Sequence, residues 1–319
     1  MSQTRPKVVV VGSLNVDYIA SVTRLPVSGE TVTATKLIRR FGGKGANQAI
    51  AAARQGASVC MIGCVGADDG GRAYRKRLRA EGIDAQWVST TNKALTGTAL
   101  IAVNNRAENM IIFAAGANGE LKSEAIQSGR KLVAGAEILL LQQEVPMKAV
   151  IAAVRIANRA AVPVIFNPSP LAGGFPWGDC QVDTVITNAG EARAIFGLHV
   201  KDISNSLPQW RRALAKRKIG RLIITRGEKS TVYLDLTEYG EVSTLRVKPK
   251  DTVGAGDAFA GVLASRRAEG MEILTAIQHA NCAGALTTLS AGAQDAIPTR
   301  RETERAFRQL GLPKNVAPS

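Results

Sequence analysis

The 319-residue sequence predicts an α/β fold, a three-layer sandwich with a mostly parallel central sheet and a small antiparallel β lid. Short apolar runs bounded by Gly, Pro or Asn recur along the chain, which is typical of strands covered on both faces. Segments of helical periodicity separate these runs, and this alternation indicates a parallel sheet. Two further regions have a period of two without an intervening helix, which indicates antiparallel strands.

The elements of the main sheet and its helices follow in chain order. The predicted strands are residues 8–11, 58–65, 137–141, 164–166, 182–187 and 222–225. The predicted helices are residues 46–55, 71–81, 148–160, 207–218, 258–269 and 272–289. Because helices connect most of the strands, we expect neighbouring strands to run parallel.

The lid is predicted from residues 17–40 and 97–114. Both regions are rich in β-branched residues with a period of two, as in residues 31–35 (Thr-Val-Thr-Ala-Thr). We expect them to form a small separate sheet at the mouth of the main one. No low-complexity linker or internal repeat interrupts the chain, so residues 1–319 are predicted to form one domain with this lid.

The formal net charge of +15 is concentrated in residues 72–79, 211–221 and 300–308. Each of these segments has the spacing of an amphipathic helix, which favours solvated helix faces over a nucleic-acid groove. The aromatic fraction of 4% also disfavours a surface on which bases stack. We therefore expect no nucleic-acid partner.

The composition also excludes other classes of protein. The first apolar run, residues 8–11, is too short for a membrane span or a signal-peptide core. We expect a cytoplasmic protein with no membrane partner, in which the four cysteines are reduced. With only two histidines, a zinc site or a histidine-centred triad has very few candidate residues.

Residues 251–257 (Asp-Thr-Val-Gly-Ala-Gly-Asp) lead from a Gly-rich turn into a predicted helix. At a helix start, unpaired N–H groups and the positive end of the dipole attract anions. Asp257 is therefore either a residue that caps the helix or matches the charge of its start, or a base that orients an attacking hydroxyl. In the second case, the backbone of Gly254, Ala255 and Gly256 stabilises a transferred phosphoryl group.

Polar residues also follow the first predicted strand. Asn15 and Asp17 lie on one side of the chain by their period of two, and their side chains can bind several sugar hydroxyls. The carboxyl ends of parallel strands are where open α/β sheets bind ligands. The alternative is a turn closed by the two side chains. Residues 12–15 do not form the Gly-x-Gly-x-x-Gly motif of a dinucleotide-binding dehydrogenase.

Residues 41–49 (Phe-Gly-Gly-Lys-Gly-Ala-Asn-Gln-Ala) form a second Gly-rich element. They do not match the Walker A loop, which needs Ser or Thr after its Lys. The glycines, including Gly43, allow close backbone approach. Lys44 can reach hydroxyl or phosphate oxygens, and Asn47 in the first helical turn can bind a sugar.

Residues 41–49 and 251–257 resemble the N-terminal and C-terminal signatures of ribokinase-type carbohydrate kinases, and the resemblance extends from about Lys7 to about Leu310. It implies that Gly254 to Gly256 form an anion hole and that Asp257 is the catalytic base. The residues that it implies at the sugar are Asn15, Asp17, Gly43, Lys44, Asn47, Glu144 and Asp257. For Glu144, the alternative is a strand end that faces solvent.

The resemblance also implies a nucleotide site. Residues 188–191 match the family's Asn-x-x-Glu motif, in which Asn188 contacts ATP phosphates and Glu191 the water shell of Mg²⁺. By itself, the pattern is also that of a helix N-cap with Glu at N3. Thr225 and Gly227 resemble the family's nucleotide loop, although this chain lacks the second glycine that often follows. Gly256 also lies at the ATP phosphates by this resemblance.

Asn281 matches a residue of the family's adenine pocket, and its alternative is a helical side chain that faces water. Family members commonly need a monovalent cation, here expected to be K⁺, which backbone oxygens hold beside the anion hole. The matching positions are Asp251, Val253, Thr287, Ser290, Gly292 and Ala296.

The resemblance implies transfer of the γ-phosphoryl group of MgATP to the 5-hydroxyl of D-ribose. Asp17 and the Gly-Gly-Lys-Gly-Ala-Asn run favour ribose. The alternatives are a sister kinase for deoxyribose, fructose, a keto-deoxy sugar acid or a nucleoside, and more distantly a sugar-binding regulator without catalysis. The exposed edges of the lid strands, together with the resemblance, predict a homodimer formed through the lid.

Overall fold

The computed structural model describes residues 6–106 and 108–310, which form two sheets and ten α-helices. The strands are β1 (Lys7–Val11), β2 (Asn15–Ser21), β3 (Lys36–Gly42), β4 (Ser58–Gly66), β5 (Val88–Thr91), β6 (Gly97–Val103), β7 (Asn109–Ala114), β8 (Ile138–Leu141), β9 (Val164–Phe166), β10 (Val182–Asn188), β11 (Ile219–Thr225), β12 (Thr231–Asp235) and β13 (Tyr239–Val242). The helices are α1 (Lys44–Arg54), α2 (Asp69–Ala80), α3 (Ser123–Ser128), α4 (Arg130–Ala134), α5 (Met147–Arg159), α6 (Ala189–Phe196), α7 (Leu207–Lys216), α8 (Ala255–Ala268), α9 (Ile273–Thr287) and α10 (Arg300–Gln309).

The main sheet has the order β13-β12-β11-β10-β9-β8-β1-β4-β5. Neighbours from β11 to β5 pair in parallel, and β12 and β13 add antiparallel pairs at one edge. From β1 the chain extends the sheet toward β5, and from β8 it extends the sheet in the opposite direction. This reversal leaves a crevice outside the carboxyl ends of β1 and β8, where such sheets bind ligands.

Helices cover both faces of the main sheet. Successive side chains of a strand point to opposite faces, so neighbouring residues of β1 pack against different layers of helices. Val8 and Val10 belong to the core cluster that includes residues of α1, α2, α8 and α9. Val9 and Val11 belong to the cluster on the other face, with residues of α3 to α7. Right-handed crossovers that extend the sheet in opposite directions place their helices on opposite faces in this way.

The small sheet has the order β3-β2-β6-β7. It consists of two antiparallel pairs, β2 with β3 and β6 with β7, and strands β2 and β6 join the pairs in parallel register. Because β2 follows β1 after three residues, the small sheet begins at the carboxyl edge of the main one. Asn15 and Asp17 are therefore residues of the small sheet that lie beside the crevice.

The predicted fold class is confirmed, and each of the six predicted main-sheet strands is present. One part of the lid prediction is wrong: residues 31–35 are not in a strand. The register of β2 with β3 ends at Ser21 and Lys36. The Thr35 N–H still donates to the Ser21 carbonyl (2.8 Å), but residues 31–35 do not continue the strand despite their β-branched composition. The single domain predicted for residues 1–319 stays a prediction, and residues 1–5, 107 and 311–319 lie outside the described ranges.

The three basic segments lie in or beside α2, α7 and α10, where residues such as Arg72, Arg212 and Arg305 are exposed while Leu78 and Leu214 are buried. This is the arrangement expected of amphipathic helices at a protein surface. Within the described ranges, no helix is both long and apolar enough to cross a membrane.

Candidate active site

A cavity of about 550 Å³ lies between the crevice of the main sheet and the small sheet. It brings together most of the residues that the sequence predicts at the sugar, the phosphates and the metal. The predicted residues that line it are Asn15, Asp17, Gly43, Lys44, Asn47, Glu144, Asn188, Glu191, Thr225, Val253, Gly254, Gly256 and Asp257.

The small sheet forms one wall of this cavity. Ala99 pairs with Phe113 and Ile101 pairs with Ile111, and all four side chains line the cavity. Asp17 is in register with Ala99, so the period of two places its carboxylate on the same face. The cavity therefore has one apolar wall that carries a single carboxylate near its base.

The start of α1 is fixed at the point where the sheet reverses. Its N-cap, Gly43, has φ +88°, and an added Cβ would lie 2.8 Å from the Asn15 nitrogen, so only glycine fits there. The Ser13 carbonyl accepts a hydrogen bond from the Ala46 N–H (3.0 Å), and the Glu144 carboxylate accepts one from the Lys44 N–H (3.0 Å). The ends of β1 and β8 thus satisfy the first N–H groups of the helix.

The start of α8 faces the cavity from the other side. Gly254 is its N-cap, with φ +82°, and an added Cβ there would lie 2.8 Å from the Cα of Ala293. The Ala255 N–H bonds to the Thr252 carbonyl (3.3 Å), whereas in the described part of the chain those of Gly256 and Asp257 have no backbone acceptor. Such a helix start, lined by glycine, is suited to a phosphate group.

Asp257 is 5% exposed, and both oxygens of its carboxylate accept hydrogen bonds from α1. The Asn47 Nδ2 donates to Oδ2 (2.8 Å), and the Gln48 Nε2 donates to Oδ1 (3.0 Å). In the described residues no side chain caps the start of α8, so the cap alternative for Asp257 is wrong, whereas its charge does lie in the first turn of its own helix, as the charge-matching alternative expects. The carboxylate instead joins two helices at the floor of the cavity.

Lys44 lies in the field of several carboxylates. The charge of Asp257 raises the pKa of Lys44 most, the charges of Glu144 and Glu191 raise it further, and burial opposes them. Burial also raises the pKa of Glu144, against hydrogen bonds from the Ser13 hydroxyl and the Lys44 N–H. The Lys44 ammonium is therefore a fixed positive charge among the carboxylates of the cavity.

Asp17 is the most strongly perturbed carboxylate of the cavity wall. Burial, and then the charge of Glu144, raise the pKa of Asp17 to about 6. Its Oδ1 is buried without a hydrogen-bond partner in the described residues. Neighbouring Asn15 accepts a hydrogen bond through Oδ1 from the Asn118 Nδ2 (2.7 Å), which leaves its own amide hydrogens for other acceptors. Together the two side chains offer one acceptor and one donor group to a ligand.

Asn188 and Glu191 form a capping box at the start of α6. The Asn188 Oδ1 accepts from the Glu191 N–H (2.8 Å), and the Glu191 Oε2 accepts from the Asn188 N–H (2.9 Å). The interpretation of Asn-x-x-Glu as a helix N-cap with Glu at N3 is therefore confirmed. Both residues also line the cavity, so the cap does not exclude contacts with a ligand. Thr225 lies beside them at the end of β11, and its hydroxyl donates to the Thr187 carbonyl (3.3 Å).

Of the residues predicted at the sugar, the anion hole and the nucleotide, three do not line the cavity: Ala255, Gly227 and Asn281. Asn281 is buried, so the alternative in which it faces water is wrong. Its Oδ1 accepts from the Thr231 hydroxyl (2.6 Å), and its Nδ2 donates to the Val242 and Ser243 carbonyls (3.3 and 3.1 Å). Its adenine contact stays a prediction, as do the nucleotide contacts of Gly227.

The six positions predicted at a monovalent cation fall on two adjacent segments. Asp251 accepts hydrogen bonds from the N–H groups of Val253 (3.0 Å) and Gly292 (2.9 Å), which join the segments beside the start of α8. The Thr287 hydroxyl is directed to the Ala283 carbonyl, and Ser290 is exposed. Ala296 follows in the second segment. In the ranges that the structure describes, no group of three His, Cys, Asp or Glu side chains is placed to hold a metal ion.

The family model of the pfkB family carbohydrate kinases matches residues 5–300. The chain belongs to this family. It is 33% identical over 299 residues to a ribokinase of Haemophilus influenzae, covering 94% of this chain and 97% of that protein. It is 30% identical over 293 residues to a deoxyribokinase of Salmonella typhi, covering 92% of this chain and 95% of that protein.

The fold is similar to that of the Arabidopsis thaliana ribokinase complexed with ribose and ATP. The TM-score is 0.89 at 27% identity, over 96% of this chain and 99% of that one. Family membership identifies the chain as an ATP-dependent sugar kinase, and such kinases use Mg²⁺ with ATP. The ribokinase-type resemblance and the predicted enzyme class are confirmed.

The sequence analysis assigned no role to several residues of the site. Gln48 contacts Asp257, Asn167 lines the cavity, and Gln294 donates to the Asn47 Oδ1 (3.0 Å). Asn167 follows directly after β9, so the rule that placed Asn15 at a strand end would have identified it too. Gln48 and Gln294 carry no comparable signal, because their role depends on tertiary contacts.

The raised pKa of Asp17 predicts a pH dependence of stability in the ligand-free protein. A carboxyl group with a pKa near 4 in the unfolded chain and about 6 when folded binds more protons in the folded state between those values. Its contribution is complete below pH ~4 and is lost as the pH rises through about 6. The free energy of unfolding of Asp17→Asn, which lacks this titration, should therefore rise relative to wild type by roughly 2 to 3 kcal/mol over that window.

Urea unfolding at several pH values measures this difference. Asp69→Asn, at an exposed carboxylate in the first turn of α2, is the matched control and should show no such trend. A difference between Asp17→Asn and wild type that stays constant from pH 4 to 7 would contradict the assignment.

Proposed function

We propose that the protein transfers the γ-phosphoryl group of ATP to the 5-hydroxyl of D-ribose, giving D-ribose 5-phosphate and ADP. The observation that carries the proposal is the Asp257 carboxylate, which lies at the floor of the cavity and at the start of α8. An acceptor for a hydroxyl proton and a site for a phosphate are thus adjacent. The relatedness to ribokinases and the fold of a ribokinase complexed with ribose and ATP support ribose as the sugar.

The sugar-binding half of the cavity would consist of side chains that match hydroxyl groups. Asp17 and Glu144 accept hydrogen bonds, Asn15 and Lys44 donate them, and Asn47 reaches the same space from α1. The unpartnered Oδ1 of Asp17 supports this role, because a buried carboxylate oxygen without a donor is unfavourable until a ligand supplies one.

Asp257 would orient the attacking hydroxyl and take its proton as the bond to the γ-phosphorus forms. In a loose phosphoryl-transfer transition state the nucleophile becomes acidic late, so its position matters more than the basicity of its partner. The N–H groups of Gly256 and Asp257 would stabilise the charge on the transferred group, with Gly254 shaping the turn. Lys44 would add positive charge on the sugar side.

The ATP phosphates would extend toward Asn188 and Thr225, which line the same cavity. Mg²⁺ bound with ATP neutralises phosphate charge, and Glu191 would hold it through its water shell. The paired segments at Asp251 and Gly292 would hold K⁺ through backbone oxygens beside the anion hole. Potassium at this place would act on the loop and not on the sugar.

A sister kinase for 2-deoxyribose is the second candidate, because a deoxyribokinase is among the relatives at 30% identity. The two sugars differ by one hydroxyl. A site built to hydrogen-bond a hydroxyl rejects the analogue that lacks it, since its own buried polar groups are then left unpaired. The unpartnered oxygen of Asp17 favours ribose on this argument.

A coupled ADP-release assay with ribose, 2-deoxyribose, fructose, a keto-deoxy sugar acid and a nucleoside tests the substrate. We expect the highest kcat/KM with ribose, at least ~10-fold above 2-deoxyribose. A higher kcat/KM with 2-deoxyribose would show that 2-deoxyribose is the preferred substrate. Absence of ADP release with every compound tested would reject the kinase assignment.

Asp257→Asn tests the proposed base. The amide has the shape of the carboxylate, but it cannot take the hydroxyl proton and its nitrogen would face one of the two donors, Asn47 or Gln48, so kcat should fall by about 10²- to 10⁴-fold. The Kd for ribose by calorimetry should change by less than ~5-fold, because the other sugar ligands are intact. Near-normal turnover in this variant would refute the role of Asp257.

We also propose that two copies associate through the small sheet. Its face away from the cavity exposes Leu37, Leu100, Met110 and Ile112, with exposures of 67%, 49%, 43% and 60%. An apolar patch of this kind on a surface commonly marks a protein–protein contact. A second copy of the same sheet would cover both this face and its edge strands.

Light scattering of the wild-type protein should therefore give the mass of two chains. Leu100→Asp with Ile112→Asp places charges in the patch and should give the mass of one chain. Leu236→Asp is the matched control at an equally exposed leucine outside the small sheet. One-chain mass for the wild-type protein would reject the dimer.

A further inference from the structure

Buried side-chain amides lie directly behind the Asp257 carboxylate, on the side away from the cavity. Gln48 and Gln142 are both fully buried, and neither lines the cavity. Most buried amide groups have hydrogen-bond partners, and in the described residues the Gln142 Oε1 is the one amide atom of this pair without a partner. Their bonds therefore show how the catalytic carboxylate is held.

The donors and acceptors of Gln48 can be assigned by chemistry. An ionised carboxylate only accepts hydrogen bonds, so the Gln48 Nε2 must face Asp257 (3.0 Å). Its second hydrogen is directed to the Asn167 Oδ1 (3.2 Å), and the Asn167 Nδ2 donates to the Ile186 carbonyl (2.9 Å). The bonds to Asp257 and to Asn167 thus use both hydrogens of the Gln48 amide.

The remaining atom of this amide fixes its orientation. The Gln48 Oε1 accepts from the Gln142 Nε2 (2.6 Å), which projects from the end of β8. If the Gln48 amide rotated by half a turn, its oxygen would face the Asp257 carboxylate and its nitrogen would face the Gln142 Nε2, which is itself a donor. Both contacts would be repulsive, so the Gln142 donor and the Asp257 carboxylate together select the orientation of the Gln48 amide that binds Asp257.

Close packing of α1 on α8 makes this contact possible. An added Cβ on Gly261, one turn beyond Asp257, would lie 2.3 Å from the Gln48 carbonyl oxygen. Glycine at this position lets the two helices approach closely enough for the Gln48 side chain to span the gap. The same approach brings Gly261 against the Ala51 Cβ and the Ala52 nitrogen, so the glycine serves the packing of the two helices as a whole.

We propose that Gln48 is a positioning residue for phosphoryl transfer, which fixes the plane of the Asp257 carboxylate toward the attacking hydroxyl and is itself oriented by Gln142. The inference rests on the proposed function of Asp257. Asn47 binds the other oxygen, Oδ2, but it also lines the cavity and meets the ligand. Gln48 is the partner of Asp257 that a ligand does not contact.

The alternative is that Gln48 merely joins α1 to α8 and stabilises the fold. The two roles differ in what a substitution changes. Loss of a structural tie lowers the melting temperature and leaves kcat of the folded protein unchanged. Loss of positioning lowers kcat while sugar affinity is retained, since a displacement of about 1 Å of a reacting group reduces the rate ~10²-fold.

Gln48→Met removes the donor with little change in volume. We expect kcat to fall by about 10- to 100-fold, with the Kd for ribose by calorimetry and the KM for ATP within ~3-fold of wild type. Gln55→Met is the matched control: Gln55 is a fully buried glutamine of the same region that bonds to the Pro298 carbonyl and the Thr303 hydroxyl. It should lower the melting temperature and leave kcat within ~2-fold of wild type.

Gln142→Met tests whether Gln142 orients Gln48, and it replaces Gln48→Met as the test of the proposal if Gln48→Met does not fold. Its carboxamide contacts Gln48 and not Asp257, so we expect a smaller loss of kcat, about 3- to 10-fold, at unchanged ribose affinity. The proposal is overturned if folded Gln48→Met, or folded Gln142→Met in its place, keeps kcat within 2-fold of wild type. Failure of the wild-type protein to phosphorylate any sugar would instead reject the proposed function.

Discussion

The rest of the site depends on one buried carboxylate at the start of a helix. Burial of the Asp257 side chain is tolerated because Asn47 and Gln48 donate to its two oxygens. This requirement brings α1 against α8, and the glycine at position 261 permits the approach. The same packing places the free N–H groups of α8 beside the carboxylate, so proton acceptor and phosphate site are positioned together.

The reversal of strand order between β1 and β8 supplies the other half of the site. Ser13 after β1 and Glu144 after β8 bind the first turn of α1, so the helix that carries Lys44 and Asn47 is anchored at the crevice. The small sheet starts only three residues after β1 and covers this crevice with apolar side chains and Asp17. A polar floor and a largely apolar cover suit a ligand that must be shielded from water during transfer.

Much of the fold could be predicted from the sequence, because parallel strands buried on both faces leave long apolar runs and the helices leave a 3.6-residue period. Most of the ligand-facing residues were found through two Gly-rich segments. Residues 31–35 were mispredicted because strand propensity does not specify a partner strand. Gln48 and Gln142 were missed because a buried amide is recognisable only by what it contacts. The burial of Asn281 could not be predicted either, because its partner Thr231 lies on β12, 50 residues earlier in the chain.

The central claim is that Asp257 is held for a sugar hydroxyl by two donors of α1, Asn47 and Gln48, of which Gln48 lies outside the cavity. A crystal structure of the protein with ribose and a non-hydrolysable ATP analogue measures this directly. We predict the 5-hydroxyl oxygen at about 2.6 to 3.2 Å from an Asp257 carboxylate oxygen, with the bonds from Asn47 and Gln48 both kept. A sugar bound with no hydroxyl within reach of Asp257, or a carboxylate turned away from Gln48 in the complex, would contradict the account.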